Sequence, residues 1–196
     1  LRSTMHLTSV LSLAALPLLT SASPISTRQT TSNGTSCSNT SFKDFQWQAS
    51  NFDFHASFIF STPAHQNSWG YASFDLFNPA DKSTVQCSAA SNQINDFFYG
   101  TIQYSCNDTL RGGSTKFDFN RPSGELRVEQ SWTCRDQDPQ YPITFTAKGS
   151  ANVTLGCTED FYQNANWTMG DIYSRRTITC GKVDSAVVPY EISAIA

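Results

Sequence analysis

Charge is scarce in this sequence. Only 15% of the residues are charged, and the 13 basic residues are scattered and slightly outnumbered by 16 acidic ones. No basic patch or stripe forms, which argues against nucleic acid or an anionic membrane surface as a partner. Histidine is almost absent beyond the N-terminus. His55 and His65 stand ten residues apart without the flanking ligands of a metal site. His55 falls on the polar face of a strand pattern and is expected to be an ordinary surface residue rather than a catalytic base. There is no Gly-x-Ser-x-Gly elbow and no phosphate-binding loop. Glu125 and Glu129 share one strand face, but two strand steps put them about 13 Å apart. A glycosidase pair needs roughly 5–10 Å. These absences predict no catalytic residues, no metal and no cofactor. Beyond Leu19 no apolar run is long enough to span a bilayer.

The apolar run that does exist lies at the N-terminus, from Leu7 to Leu19. It is too short for a membrane span and suits the core of an export signal. Thr20-Ser21-Ala22 supplies the small residues a signal peptidase needs. The expected organisation is a signal peptide over 1–22, with Met5 as the true start and Leu1–Thr4 a remnant. A flexible Ser/Thr-rich leader or short propeptide follows over 23–36, with Arg28 as a processing point, and a single domain occupies 37–196. Sequons at Asn33, Asn39, Asn107, Asn152 and Asn166 and six cysteines beyond the signal agree with secretion through an oxidising compartment.

The body of the chain alternates apolar and polar residues at period two, the mark of half-buried strands. Phe52, Phe54, Ala56, Phe58 and Phe60 share a face; so do Ala72, Phe74 and Leu76. The same pattern recurs at Ile102–Cys106, Phe117–Phe119, Leu126–Trp132, Ile143–Ala147 and Ala151–Cys157. In the last run Asn152 falls on the wet face. Turn residues separate the runs at Asn78–Asp81, Arg111–Ser114 and Arg121–Gly124, so that Phe119–Leu126 reads as a hairpin. Many short strands at this spacing mean an all-β sandwich or barrel. Six cysteines allow fifteen pairings, and spacing does not choose among them.

Several stretches recur in a familiar order. They are Thr35-Ser36-Cys37 after Pro24-x-x-x-Arg28-Gln29, then Asp44-Phe45-Gln46-Trp47, Val85-Gln86-Cys87-Ser88-Ala89 and Tyr104-Ser105-Cys106. Phe117-Asp118-Phe119 with Ser123-Gly124, Thr144-Phe145-Thr146-Ala147 and Leu155-Gly156-Cys157 complete the set. In this order and cysteine placement the chain resembles the Alternaria major allergen-like family of secreted fungal proteins. The resemblance implies a small, mostly antiparallel β-barrel stapled by disulfides, without a catalytic site. It implies bridges Cys87–Cys106 and Cys157–Cys180, each closing a loop of about twenty residues and worth roughly 3 kcal/mol. With those two made, Cys37–Cys134 is the expected third bridge. The family's type member joins two chains through its first cysteine and lacks a counterpart of Cys134, so a monomer or non-covalent dimer is expected here.

Resemblance also implies a role as effector, elicitor or allergen, acting by binding at the host interface, with an extracellular plant protein as partner. A barrel that binds a small phenolic ligand or a cell-wall glycan is the alternative, and a secreted hydrolase a more distant one. Thr158–Asp171, inside the Cys157–Cys180 loop, carries Phe161, Tyr162 and Trp167. Aromatic rings in a stapled loop suit partner recognition.

Overall fold

A computed structural model of the chain describes residues 36–93, 97–108 and 114–196. The expected signal and leader segments, the Asn33 sequon and the glycine pair of the Arg111–Ser114 turn lie outside the described residues. One short helix, α1 (Cys37–Phe42), precedes ten strands. These are β1 (Trp47–Thr62), β2 (His65–Asn78), β3 (Ser83–Ser91), β4 (Tyr104–Ser105) and β5 (Ser114–Asn120). Then follow β6 (Glu125–Cys134), β7 (Ile143–Asn152), β8 (Cys157–Gln163), β9 (Ser174–Cys180) and β10 (Val183–Ile195). Every pairing is antiparallel. The order β3-β2-β1-β10-β7-β6-β5-β4 wraps into a nearly closed barrel. Among the described residues no helix is long and apolar enough to cross a membrane.

Between β3 and β4 the wall does not close by a ladder. An isolated bridge between Gln86 and Asn107 spans the seam, and Cys87–Cys106 staples it at a Cα separation of 4.2 Å. On the far side, β1 serves two partners in succession. Its first half pairs with β10, from Trp47–Val187 to Phe52–Val183, and its second half with β9, from His55–Thr179 to Phe60–Ser174. The break at Gly181 and Lys182 separates the two. It lets the β8–β9 hairpin leave the barrel wall as a flap, held at its base by Cys157–Cys180.

The period-two runs appear as strands with their apolar faces inward. Two depart from expectation. In Ile102–Cys106 only Tyr104 and Ser105 form a strand, and Ile102 is 45% exposed. The cause is the seam: this stretch finds a ladder partner in β5 alone. The run Ala151–Cys157 is two elements joined by a corner. Strand β7 ends at Asn152, the Val153 amide donates to the Gly124 carbonyl at 2.8 Å, and β8 starts at Cys157. The Phe119–Leu126 hairpin forms around Gly124, whose φ of 74° suits glycine; a Cβ there would stand 2.8 Å from the Val153 carbonyl oxygen.

Aromatic rings fill the barrel. Phe52 stacks on Phe74 (5.5 Å) and tilts against Phe119 (4.9 Å), and Phe117 meets Phe74 edge-on at 5.0 Å. Phe45, Trp132 and Phe145 form a second stack at 4.7 and 5.7 Å. A polar hub sits among them. The buried Gln130 carbonyl accepts from Trp47 Nε1 (2.7 Å) and Asn78 Nδ2 (2.9 Å), while its amide donates to Thr115 Oγ1 (2.9 Å). Buried polar groups are tolerated when they are partnered in this way. Helix α1 closes one end. Cys37–Cys134 ties it to β6, and Ser41 Oγ accepts from Trp132 Nε1 at 2.9 Å.

Candidate functional site

Rings occupy the interior, so the clefts lie on the exterior. Two clefts of that exterior stand out among the described residues. The larger, about 530 Å³, lies at the seam between the β2–β3 turn and the end of β6. It mixes both signs of charge, with Asp81, Lys82, Arg135 and Asp136 on its rim and Gln130 and Trp132 deeper in. Gln130 is already spent on its three partners. A smaller cleft of about 390 Å³ adjoins the β5–β6 turn and Asn152.

Cys37, Cys134 and Asp136 lie close enough to suggest a metal centre, within 4.8 Å. Their bonding answers the suggestion. The two sulfurs are joined to each other and are not thiolates. Asp136 accepts from the Ser38 hydroxyl at 2.7 Å and from the Ser38 amide at 3.2 Å. Partial burial alone would raise its pKa; the hydrogen bonds from Ser38 and the Ser36 hydroxyl outweigh that and hold the carboxyl below the usual range. Three other carboxylates also have local partners. Asp118 meets Arg127 Nε at 2.9 Å, yet burial keeps its pKa above normal despite that cation. Glu129 accepts from Gln103, and Glu159 is held low by a two-point contact with Arg176 at 2.7 and 2.8 Å.

The three loop aromatics do not form one patch. Phe161 and Tyr162 are neighbours in β8, so they point to opposite faces; they are 67% and 45% exposed. Trp167 is half-buried. Its Nε1 donates to the carbonyls of Ser61 (3.2 Å) and Asp171 (3.0 Å), and its ring meets Tyr173 edge-on at 5.9 Å. The indole therefore fastens the 164–173 turn onto the end of β1. Asn39, Asn107, Asn152 and Asn166 are all exposed.

Tyr162 instead belongs to a surface that crosses four strands. Directly opposed residues of an antiparallel sheet share a face. One row runs Tyr71, His55, Thr179 and Thr158 across β2, β1, β9 and β8. The next is Trp69, Ser57, Thr177 and Asp160, and the third Asn67, Ile59, Arg175 and Tyr162. The alternate residues Ala56 and Phe58 face the core, so these rows lie on the outer face, where Ser57 alone among them is buried. Trp69 is 46% exposed. His55 stands between two rings, perpendicular to Trp69 at 5.7 Å and tilted against Tyr71 at 5.0 Å. Its Nδ1 lies 3.8 Å from Asp53 Oδ2. Sequence reasoning treated His55 as an isolated surface residue and passed over Trp69 and Tyr71. The signal was present: His65, Asn67, Trp69 and Tyr71 alternate on the polar side of the strand whose apolar side carries Ala72 and Phe74.

Comparison with known proteins finds a family match. The family model described as Alternaria alternata allergen 1 covers residues 49–180, well over half of the chain. That span runs from β1 to β9 and includes the whole four-strand face; α1, Cys37 and β10 lie outside it. No curated protein matches, and no solved structure does.

Proposed function

The chain belongs to the Alternaria alternata allergen 1 family, and from that premise we propose that it is a secreted, non-enzymatic fungal protein acting by binding at a host interface, as an effector, elicitor or allergen. The outer face of β2, β1, β9 and β8 is its recognition surface.

The observation that carries this reading is the division of the aromatic residues. Many are locked in the core against one another; of the rest, Trp69, Tyr71 and Tyr162 lie with His55 on one outer face, while Phe42, Tyr141, Phe161 and Tyr190 are exposed elsewhere. Exposed rings grouped in this way suit contact with a partner. The rest of the chain supports export. All six cysteines are in disulfides, which suits an oxidising destination. The N-terminal apolar run and the sequons point the same way.

Infiltration of purified protein into plant tissue tests the reading, with a defence response as the readout. The response is expected from the unaltered protein and from Tyr190→Ser on β10, and is expected to be lost in Trp69→Ala. The reading fails if the protein turns over a polysaccharide, ester or RNA substrate and a single carboxylate or histidine substitution abolishes that turnover.

A further inference from the structure

Resting on that reading of the outer face, we propose that its ligand is a neutral, extended polysaccharide laid across β2, β1, β9 and β8, with sugar rings packed on Trp69 and Tyr162. A pyranose ring presents an apolar face of C–H bonds and a rim of hydroxyls. It is held by aromatic rings that take the first and by small donors and acceptors that take the second. The four-strand face has both. Trp69 and Tyr162 are the exposed rings, with Tyr71 and His55 beside Trp69. Between them lie the Thr177 and Thr179 hydroxyls and the Asp160 carboxylate.

Charge narrows the ligand further. Arg175 is the cation of these rows, and its Nη2 lies 3.8 Å from Asp160 Oδ2. A near-neutral face gives a polyanion such as pectate or a nucleic acid nothing to hold. Composition separates a glycan from a protein partner. The cores of protein interfaces are depleted in Asp, whereas here exposed Asp160 stands between the rings and Ile59 is the one aliphatic side chain in the three rows. Size points to a chain rather than a single sugar: from β2 to β8 is three strand spacings, about 14 Å.

The face is also prepared in advance. His55 wedged between Trp69 and Tyr71 fixes those rings before a ligand arrives, and Cys157–Cys180 keeps β8 in register with β9. Pre-set groups lose less freedom on binding. The sequon residues leave it open: Asn39 is in α1, Asn107 at the seam, Asn152 at the end of β7 and Asn166 in the β8–β9 turn.

The test is retention of the protein, secreted from a eukaryotic host, on particles of cellulose, chitin, β-1,3-glucan and xylan, with pectate as the charged comparison. Retention is expected on at least one neutral polymer, competed by its soluble oligosaccharide and little changed by added salt. Trp69→Ala and Tyr162→Ala should each weaken it about tenfold, or about 1.4 kcal/mol, with melting temperatures unchanged, and Tyr190→Ser should bind normally. Asp160→Ala serves as a further variant if either ring substitution disturbs the fold. Failure of every neutral polymer to retain the protein overturns the proposal, as does retention indifferent to all face variants. Preference for pectate that salt abolishes overturns it as well. If the plant response still depends on Trp69 while no polysaccharide binds, the ligand class falls and the recognition surface stands. If that response is also indifferent to Trp69, both fall.

Discussion

Gln130 shows how one side chain can hold a barrel core together. It lies on the inward face of β6, among Leu126, Val128 and Trp132, where an apolar residue would be expected from the alternation. Three strands lend it partners: Trp47 from β1, Asn78 from β2 and Thr115 from β5. Gln130→Leu would fill similar space but leave the Trp47 indole N–H and an Asn78 amide proton buried without an acceptor. Each orphaned group costs about 1–3 kcal/mol, so chemical denaturation should show a loss on the order of 3 kcal/mol. A variant within experimental error of the native protein would mean that water replaces the amide. Gly70 is a second residue fixed by its surroundings. A Cβ there would lie 2.5 Å from Cγ of Phe97, so even alanine would push a core ring aside.

At the scale of the element, α1 illustrates a short helix held by its ends. Six residues are too few to be stable alone. Ser36 caps the N-terminus by accepting from the Asn39 amide at 3.3 Å, Cys37 ties the first turn to β6, and Asp136 accepts from Ser38. The folded-state pKa of Asp136 lies below that of the free side chain. Its contribution is therefore complete above the ordinary carboxylate range and is lost as pH falls through the folded value. Hydrogen exchange at the Ser38 amide, corrected for its intrinsic rate, should speed up over that acid window, and Asp136→Asn should flatten the dependence. An unchanged profile in the variant would show that another group governs the helix.

The elements also show what pattern alone conveys. Alternation at Phe52–Phe60 and Phe117–Phe119 reports strands because each such residue chooses between core and water locally. The inward series in β1 shifts from Trp47 and Ala49 to Phe52 and Phe54, and this change of parity is where Asn51, at φ 56°, forms a bulge. Alternation could not reveal that Ala151–Cys157 turns a corner, because Val153 is buried on either path. Nor could it place β9 beside β1, since that pairing joins residues more than a hundred positions apart. The four-strand outer face was hidden for the same reason. Trp69 and Tyr71 were visible as rings on a wet strand face, but their neighbourhood with Tyr162 exists only after β8 and β9 have docked.

At the scale of the whole molecule, the three disulfides decide how the chain is tied together. Cys37 is bonded within the chain to Cys134, and all six cysteines are used. No thiol remains to join two copies. On a non-reducing gel the protein should therefore run at the mass of one chain, and a band at twice that mass would show that Cys37 bonds elsewhere.

The Cys37–Cys134 bridge encloses Cys87–Cys106, so the first half of the domain is a ring within a ring, and Cys157–Cys180 makes a separate loop. A protease that nicks the backbone once between residues 37 and 134, or once between 157 and 180, releases no fragment. A single scission can divide the domain only in the stretch from Cys134 to Cys157 or trim it outside the outermost bridges. Much of that stretch is the β7 ladder between β6 and β10, leaving 135–142 and the short corner at 153–156 as the spans where one cut separates the two halves.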